Sequence, residues 1–162
     1  HKLQEQYLFL ARHNIHSAEE LVGTIASLTD KKKETSAEKS RIYKARERSR
    51  ELFTAADEME NLKPAEQSYR LGDTFFEDEH RKWVALEQEL QAQGYSLEEV
   101  QALRRHYKEE YSEVCAKEKV VFRELNTGKA ILNSMIPDSI SDGRKTEYNR
   151  EIIRDRKEQP VR

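Results

Sequence analysis

Cysteine, proline and glycine are scarce in this sequence, and it has no long apolar run. Cys115 is the one cysteine, which excludes a disulfide within the chain and fits a reducing setting. Three prolines and five glycines among 162 residues leave few places where a helix must stop. No apolar stretch approaches the roughly 20 residues that cross a bilayer, and no signal peptide is recognisable. We therefore expect a cytoplasmic protein with no membrane partner.

Charged residues, in contrast, make up 37% of the chain, a share typical of long, charge-laced helices. The 29 basic and 31 acidic residues nearly cancel, so attraction to nucleic acid would have to come from local patches. The apolar pattern is already under way at Leu3, which predicts a fragment of a longer protein.

Apolar spacing and the positions of proline and glycine predict a series of helices. The first ends at His13–Asn14, and the second runs from Ala18 to Lys63, a stretch without proline. Pro64 is expected to break that helix and to start a short one, Ala65 to Leu71. The remaining predicted helices run from Asp73 or Thr74 to Gly94, and from a capping box at Ser96 to Pro137.

The stretch RHNIHSAEELV, residues 12–22, contains His13 and His16 and is interpreted as the joint between two helices. Ser17 precedes Glu20 by three residues, so its hydroxyl can accept from first-turn amides while Glu20 reaches back to the Ser17 amide. Two histidines are too few for a metal site, which usually takes at least three protein ligands. We predict no metal and no cofactor in this fragment.

The last helix carries an apolar heptad seam, formed by Val100, Leu103, Tyr107, Tyr111, Val114, Val121, Leu125, Leu132 and Met135. Two long helices separated by two short ones predict an all-α fold. We expect a long, coiled-coil-like antiparallel helical hairpin, with short helices at the tip and the N-terminal helix packed at the base. This domain would span residues 1–136, and residues 137–162 are expected to form a charged, flexible tail.

The hairpin predicts two apolar clusters, one at each end. The base cluster is expected to contain Tyr7, Leu10, Ile15, Leu21, Ile25, Leu28, Val121, Leu125 and Leu132. The tip cluster is expected to contain Leu52, Met59, Leu71, Phe76, Trp83, Leu90, Val100 and Leu103.

No group of residues predicts catalysis. The chain has no glycine-rich phosphate loop and no pair of carboxylates in a predicted cleft. Cys115 lies on the seam as a packing residue, and His80 and His106 are interpreted as surface or packing residues. We predict no catalytic residue and no small-molecule substrate.

The stretch KKKETSAEKSRIYKARERSR, residues 31–50, is the one strong electrostatic feature. It has a local net charge of +6, because only Glu34, Glu38 and Glu47 oppose its nine basic residues. Such a stripe can follow a phosphate backbone without reading base sequence, although many charge runs are only solvated helix faces. The candidate nucleic-acid-binding residues are Lys31, Lys32, Lys33, Lys39, Arg41, Lys44, Arg46, Arg48 and Arg50.

The order of segments resembles the C-terminal helical region of plasmid and transposon relaxases from Gram-positive bacteria. The resemblance covers about residues 5–136: HNIHSAEEL, a long charged helix, YRLGDTFFEDEHRKWVALEQEL, and then GYSLEEVQALRRHYKEEYSEVCAKEKVVFRELNTGKAIL. Family relaxases nick DNA at a transfer origin with an N-terminal tyrosine and a histidine-hydrophobe-histidine metal motif. No residue of this chain matches those catalytic positions.

The resemblance implies a noncatalytic accessory domain of a mobilisation protein from a mobile genetic element, whose parent would be a DNA-nicking relaxase. Such a domain would assist DNA binding or assembly during conjugation, with DNA, other transfer proteins or a second copy as partners. The alternative is a structural coiled-coil adaptor or dimerisation module that makes no DNA contact. An independent enzyme is a third, more distant reading.

Overall fold

The computed structural model describes residues 1–136 and 150–154, and every regular element in these ranges is a helix. The elements are α1 (Lys2–Arg12), α2 (Ala18–Arg48), α3 (Arg50–Arg70), a 3₁₀ turn (Thr74–Phe76), α4 (Glu77–Ala92) and α5 (Leu97–Ser134). The predicted all-α class is confirmed. None of the helices in the described ranges is long and apolar enough to cross a membrane.

The chain divides into two compact units. We call His1–Glu38 together with Val114–Arg162 the terminal unit, and Lys39–Glu113 the central unit. Both α2 and α5 contribute to each unit.

In the terminal unit, α5 runs antiparallel to α2. Ile25 on α2 lies beside Gly128 on α5. Lys32 comes later than Ile25 on α2 and lies beside Phe122, which comes earlier than Gly128 on α5. The N-terminal helix α1 packs against the same pair through Phe9, as predicted for this helix. The cluster at this end comprises Phe9, Ile15, Leu21, Val22, Ile25, Leu28, Leu125, Ile131 and Leu132.

Tyr7 was expected in this cluster, but it is 72% exposed and Phe9 is fully buried in its place. The reason is a close approach at Gly128. A Cβ at this position would lie 3.1 Å from both the Phe9 ring and Ile25, so the missing side chain makes room for the ring.

The central unit packs α3, α4 and the start of α5 around a second cluster: Leu52, Phe53, Ala55, Ala56, Met59, Trp83, Leu90 and Val100. In this unit α5 runs antiparallel to α3, because Phe53 of α3 contacts Tyr107 of α5, while Asp57, later on α3, contacts Arg104, earlier on α5. Leu71 was expected in this cluster and is 90% exposed. It follows the last residue of α3 and precedes Gly72, whose φ of 101° turns the chain away from the helix.

The position of the break in the long N-terminal arm was also predicted wrongly. The helix breaks at Ser49, where the hydroxyl donates to the Ala45 carbonyl and the amide donates to Arg46. Pro64 instead lies inside α3. Pro64 and Glu60 are both exposed, so the Glu60 carbonyl that loses its amide donor can be hydrated.

The joint before α2 has the predicted character, with one change in its hydrogen bonds. Asn14 has a φ of 52°, and the Ser17 hydroxyl accepts from the Glu20 amide at 3.1 Å. The Glu20 carboxylate accepts from the amide of His16 at 2.7 Å, where the Ser17 amide was expected. The carboxylate therefore closes the turn one residue earlier than a standard capping box.

The predicted flexible tail, residues 137–162, lies outside the described residues except for 150–154. These five residues are helical, and Ile152 and Ile153 pack against the cluster of the terminal unit.

Candidate nucleic-acid interface

The nine predicted cations are divided between the two units. Lys31, Lys32 and Lys33 belong to the terminal unit, and the remaining six belong to the central unit. All except Arg50 lie on α2, and Arg50 is the first residue of α3. Their surroundings separate them into two groups.

The first group comprises Lys32, Lys39 and Arg46, which are spaced seven residues apart and lie over aromatic rings of α5. The Lys32 Nζ is 5.0 Å from the centre of the Phe122 ring in the terminal unit. In the central unit, the Lys39 Nζ and the Arg46 guanidinium carbon lie 5.8 Å and 5.9 Å from the centre of the Tyr111 ring. These cations contribute to helix pairing through cation–π contacts. The heptad spacing of the three cations was the sequence signal that could have revealed this role.

The second group, in the central unit, comprises Arg41, Lys44 and Arg48, all of which are exposed. Their spacing of i, i+3 and i+7 places them within an arc of about 60° on α2, at 100° per residue. They make no salt bridge to any residue that the structure describes. Three cations are thus presented to solvent on one helix face.

The other candidate cations, Lys31, Lys33 and Arg50, do not form a group on one helix face. Lys31 and Lys33 are exposed in the terminal unit and point to different sides of α2, because they are two residues apart. Arg50 lies 4.0 Å from Glu47 in an exposed pair, which is worth little in water.

The terminal unit also contains a groove of about 630 Å³ between α2 and α5. Its lining comes from Lys32 and Ser36 on α2 and from Glu118, Lys119, Phe122, Arg123 and Asn126 on α5. Phe122 is 48% exposed, and the Lys32 Nζ, which also lines the groove, lies 5.0 Å from the centre of its ring. No pattern in the sequence singles out this position.

A buried carboxylate lies in the central unit, where sequence reasoning did not find it. The Glu66 side chain is 3% exposed, its Oε1 accepts from the Arg70 Nε at 2.9 Å, and its Oε2 lies 2.7 Å from the His80 Nδ1. The His80 ring stacks on Tyr69 with 4.1 Å between ring centres. Glu66 and His80 are 14 residues apart on different helices, so no local pattern joins them. Because both carboxylate oxygens are occupied, this arrangement holds α3 against α4.

Of the two histidines at the joint between α1 and α2, His13 contacts α5 and His16 contacts the joint itself. The His13 Nε2 lies 3.1 Å from Glu124, which also accepts from Arg12 at 2.6 Å. The His16 Nε2 lies 2.8 Å from the Asn14 side-chain oxygen. Within residues 1–136 and 150–154, no group of three or more His, Cys, Asp or Glu side chains is placed to hold a metal ion.

One ion pair in the central unit changes the ionisation of its members. Arg104 makes two hydrogen bonds to the Asp57 carboxylate, the longer of them 3.0 Å. These bonds lower the pKa of Asp57 below its ordinary value of 3.8, and they raise the pKa of Arg104 in turn. The pair joins α3 to α5.

Comparison with protein-family models, curated proteins and solved structures found no match to this chain.

Proposed function

We propose that this chain is a noncatalytic helical module that binds the phosphate backbone of DNA, as an accessory domain of a relaxase in conjugative transfer. The observation that carries the DNA contact is the exposed face of α2 formed by Arg41, Lys44 and Arg48. The assignment to a relaxase comes from the resemblance of the sequence alone.

The geometry of this face suits a phosphate backbone. From Arg41 to Arg48 the helix rises about 10 Å at ~1.5 Å per residue. Phosphates of one DNA strand follow each other at ~3.4 Å along the duplex axis, so the face spans about three phosphate steps. Because the three cations have no salt-bridge partner among the described residues, no existing ion pair has to be broken for them to meet phosphates.

The cations of the same stripe that lie over aromatic rings have a smaller role in this proposal. Lys39 and Arg46 are engaged with the Tyr111 ring, and Lys32 with Phe122. We expect their replacement to affect helix packing as well as DNA affinity.

Burial on α5 favours this proposal over the coiled-coil adaptor. Seam residues Val100, Val114, Leu125 and Leu132 are buried inside the units to which they belong. A seam covered within its own chain is not presented to a second helix.

The test is fluorescence anisotropy with labelled duplex and single-stranded DNA at low and moderate salt. Reversing the charge of this face with Arg41→Glu, Lys44→Glu and Arg48→Glu should abolish DNA binding at moderate salt. It should also reduce the slope of log affinity against log salt by about 3 for duplex DNA, at ~0.9 per phosphate contact.

The matched control reverses three exposed lysines elsewhere in the central unit, Lys63→Glu, Lys82→Glu and Lys108→Glu, and so makes the same change in net charge. If the control loses as much affinity as the α2 variant, binding reflects overall charge and the proposed face is wrong. If the unaltered chain does not bind at low salt, the proposal fails, and light scattering on the same samples then tests self-association.

A further inference from the structure

We propose that the groove of the terminal unit is a binding site for an unpaired nucleotide of a single-stranded nucleic acid, with the base stacked on Phe122 and the adjoining phosphate held by Lys119 and Arg123. This inference deepens the proposed function by naming the strand state that is bound, and it rests on that function for its setting. The residues concerned are separate from the cationic face of the central unit.

The exposure of Phe122 favours a stacked ligand. Phe122 is a large aromatic residue, yet it is 48% exposed and lines the groove. Aromatic rings that remain open beside cations are the stacking platforms used for single strands, since every base has a flat face that can stack.

The polar groups around the ring favour an anionic ligand. Lys119, Phe122, Arg123 and Asn126 follow each other at steps of three, one and three, which places them on one side of α5. Three cations and one carboxylate, Glu118, line the groove, so it has a net charge of +2. An anion that also has a flat ring matches this combination, and a nucleotide is such an anion.

The size of the groove and the stacking of bases in a duplex favour an unpaired nucleotide. A groove of about 630 Å³ falls within the range of sites that hold small organic molecules, so a single nucleotide fits. In a duplex both faces of each base are covered by neighbouring base pairs, and a base reaches a protein ring only when it is unstacked. The site should therefore discriminate in favour of single strands.

The experiment compares the affinity of the full chain for two labelled oligomers of equal length, an oligothymidylate and a phosphodiester of abasic sites. Phe122→Leu keeps an apolar side chain at a half-exposed position and should leave the fold intact, as circular dichroism will verify. We expect it to weaken oligothymidylate binding between about five- and a hundred-fold, the usual range for losing one stacked base. Binding of the abasic oligomer should be unchanged, and Phe122→Trp should retain the affinity for oligothymidylate.

A direct readout uses Phe122→Trp in a Trp83→Phe background, so that the tryptophan at the groove is the chain's one tryptophan. Its fluorescence should be quenched by oligothymidylate and unaffected by the abasic oligomer. Equal affinity of Phe122→Leu and the unaltered chain for oligothymidylate, or equal quenching by both oligomers, would overturn the stacking site.

The two proposals fail separately. Loss of binding on reversal of Arg41, Lys44 and Arg48, with no effect of Phe122→Leu, overturns the stacking site and leaves the cationic face standing. Loss on Phe122→Leu with no effect of the reversal supports the stacking site and overturns the cationic face.

Discussion

Removing the Glu66 carboxylate should destabilise the central unit substantially. Glu66→Ala takes away the acceptor for both His80 and Arg70 and leaves a gap beside the Tyr69–His80 stack. The two lost contacts do not weigh equally. His80 is 30% exposed, whereas Arg70 is 66% exposed and can return to water.

The magnitude follows from these exposures. A fully buried partner left without its hydrogen bond costs about 1–3 kcal/mol, and His80, which is 30% exposed, should fall in the lower part of that range. The exposed Arg70 contributes less than about 1 kcal/mol after screening by solvent. Loss of the buried Cγ methylene adds about 0.8 kcal/mol. We therefore expect Glu66→Ala to lower the free energy of unfolding by about 2–4 kcal/mol, and the isosteric Glu66→Gln to lower it less.

The assay is urea denaturation followed by the fluorescence of Trp83, which belongs to the apolar cluster of the same unit. Gln67→Ala, an exposed neighbour on the same helix, is the matched control and should change stability by less than about 0.5 kcal/mol. Double-mutant cycles should give a larger coupling for Glu66 with His80 than for Glu66 with Arg70. A loss below about 0.5 kcal/mol for Glu66→Ala, or the reverse order of couplings, would refute this reasoning.

Two further predictions concern one helix contact in each unit. Gly128→Leu should destabilise the terminal unit by about 1–3 kcal/mol in thermal denaturation, because its side chain would overlap Phe9. Lys129→Leu, at the exposed neighbouring position, should not, and equal melting of both variants would contradict the close approach. In acid titration the Asp57–Arg104 pair should stabilise the chain above about pH 4 and lose this effect as the pH falls through the lowered pKa of Asp57. Asp57→Asn should therefore reduce the acid dependence of stability slightly, since the pair is exposed, and an unchanged profile would exclude this contribution.

Part of this structure could be predicted because it depends on groups close together in the chain. The Asn14 turn and the Ser17 cap rely on atoms within a few residues, and the sequence contains all of them. The heptad seam of α5 likewise requires only the spacing of apolar residues. The all-α class follows from these local signals and from the scarcity of proline and glycine.

The wrong predictions, a helix break at Pro64 and the burial of Tyr7, have a common physical cause. In both cases the surroundings of the residue or its access to solvent outweighed its local structural preference. Pro64 removes one hydrogen bond from α3, but the carbonyl that it leaves free belongs to an exposed residue, Glu60, and can be hydrated. Phe9 is buried in place of Tyr7 because Gly128, more than a hundred residues away, leaves space for its ring.

In the candidate site, too, some features depend on the local sequence and others depend on packing between helices. The sequence by itself determined that the cations of residues 31–50 are concentrated on one helical segment, because charge and helical spacing are local properties. Only the tertiary structure decided that Lys32, Lys39 and Arg46 lie over rings of α5 while Arg41, Lys44 and Arg48 face solvent. The same holds for Glu66 and for the groove at Phe122, since the groups that meet there come from separate helices and only packing brings them together.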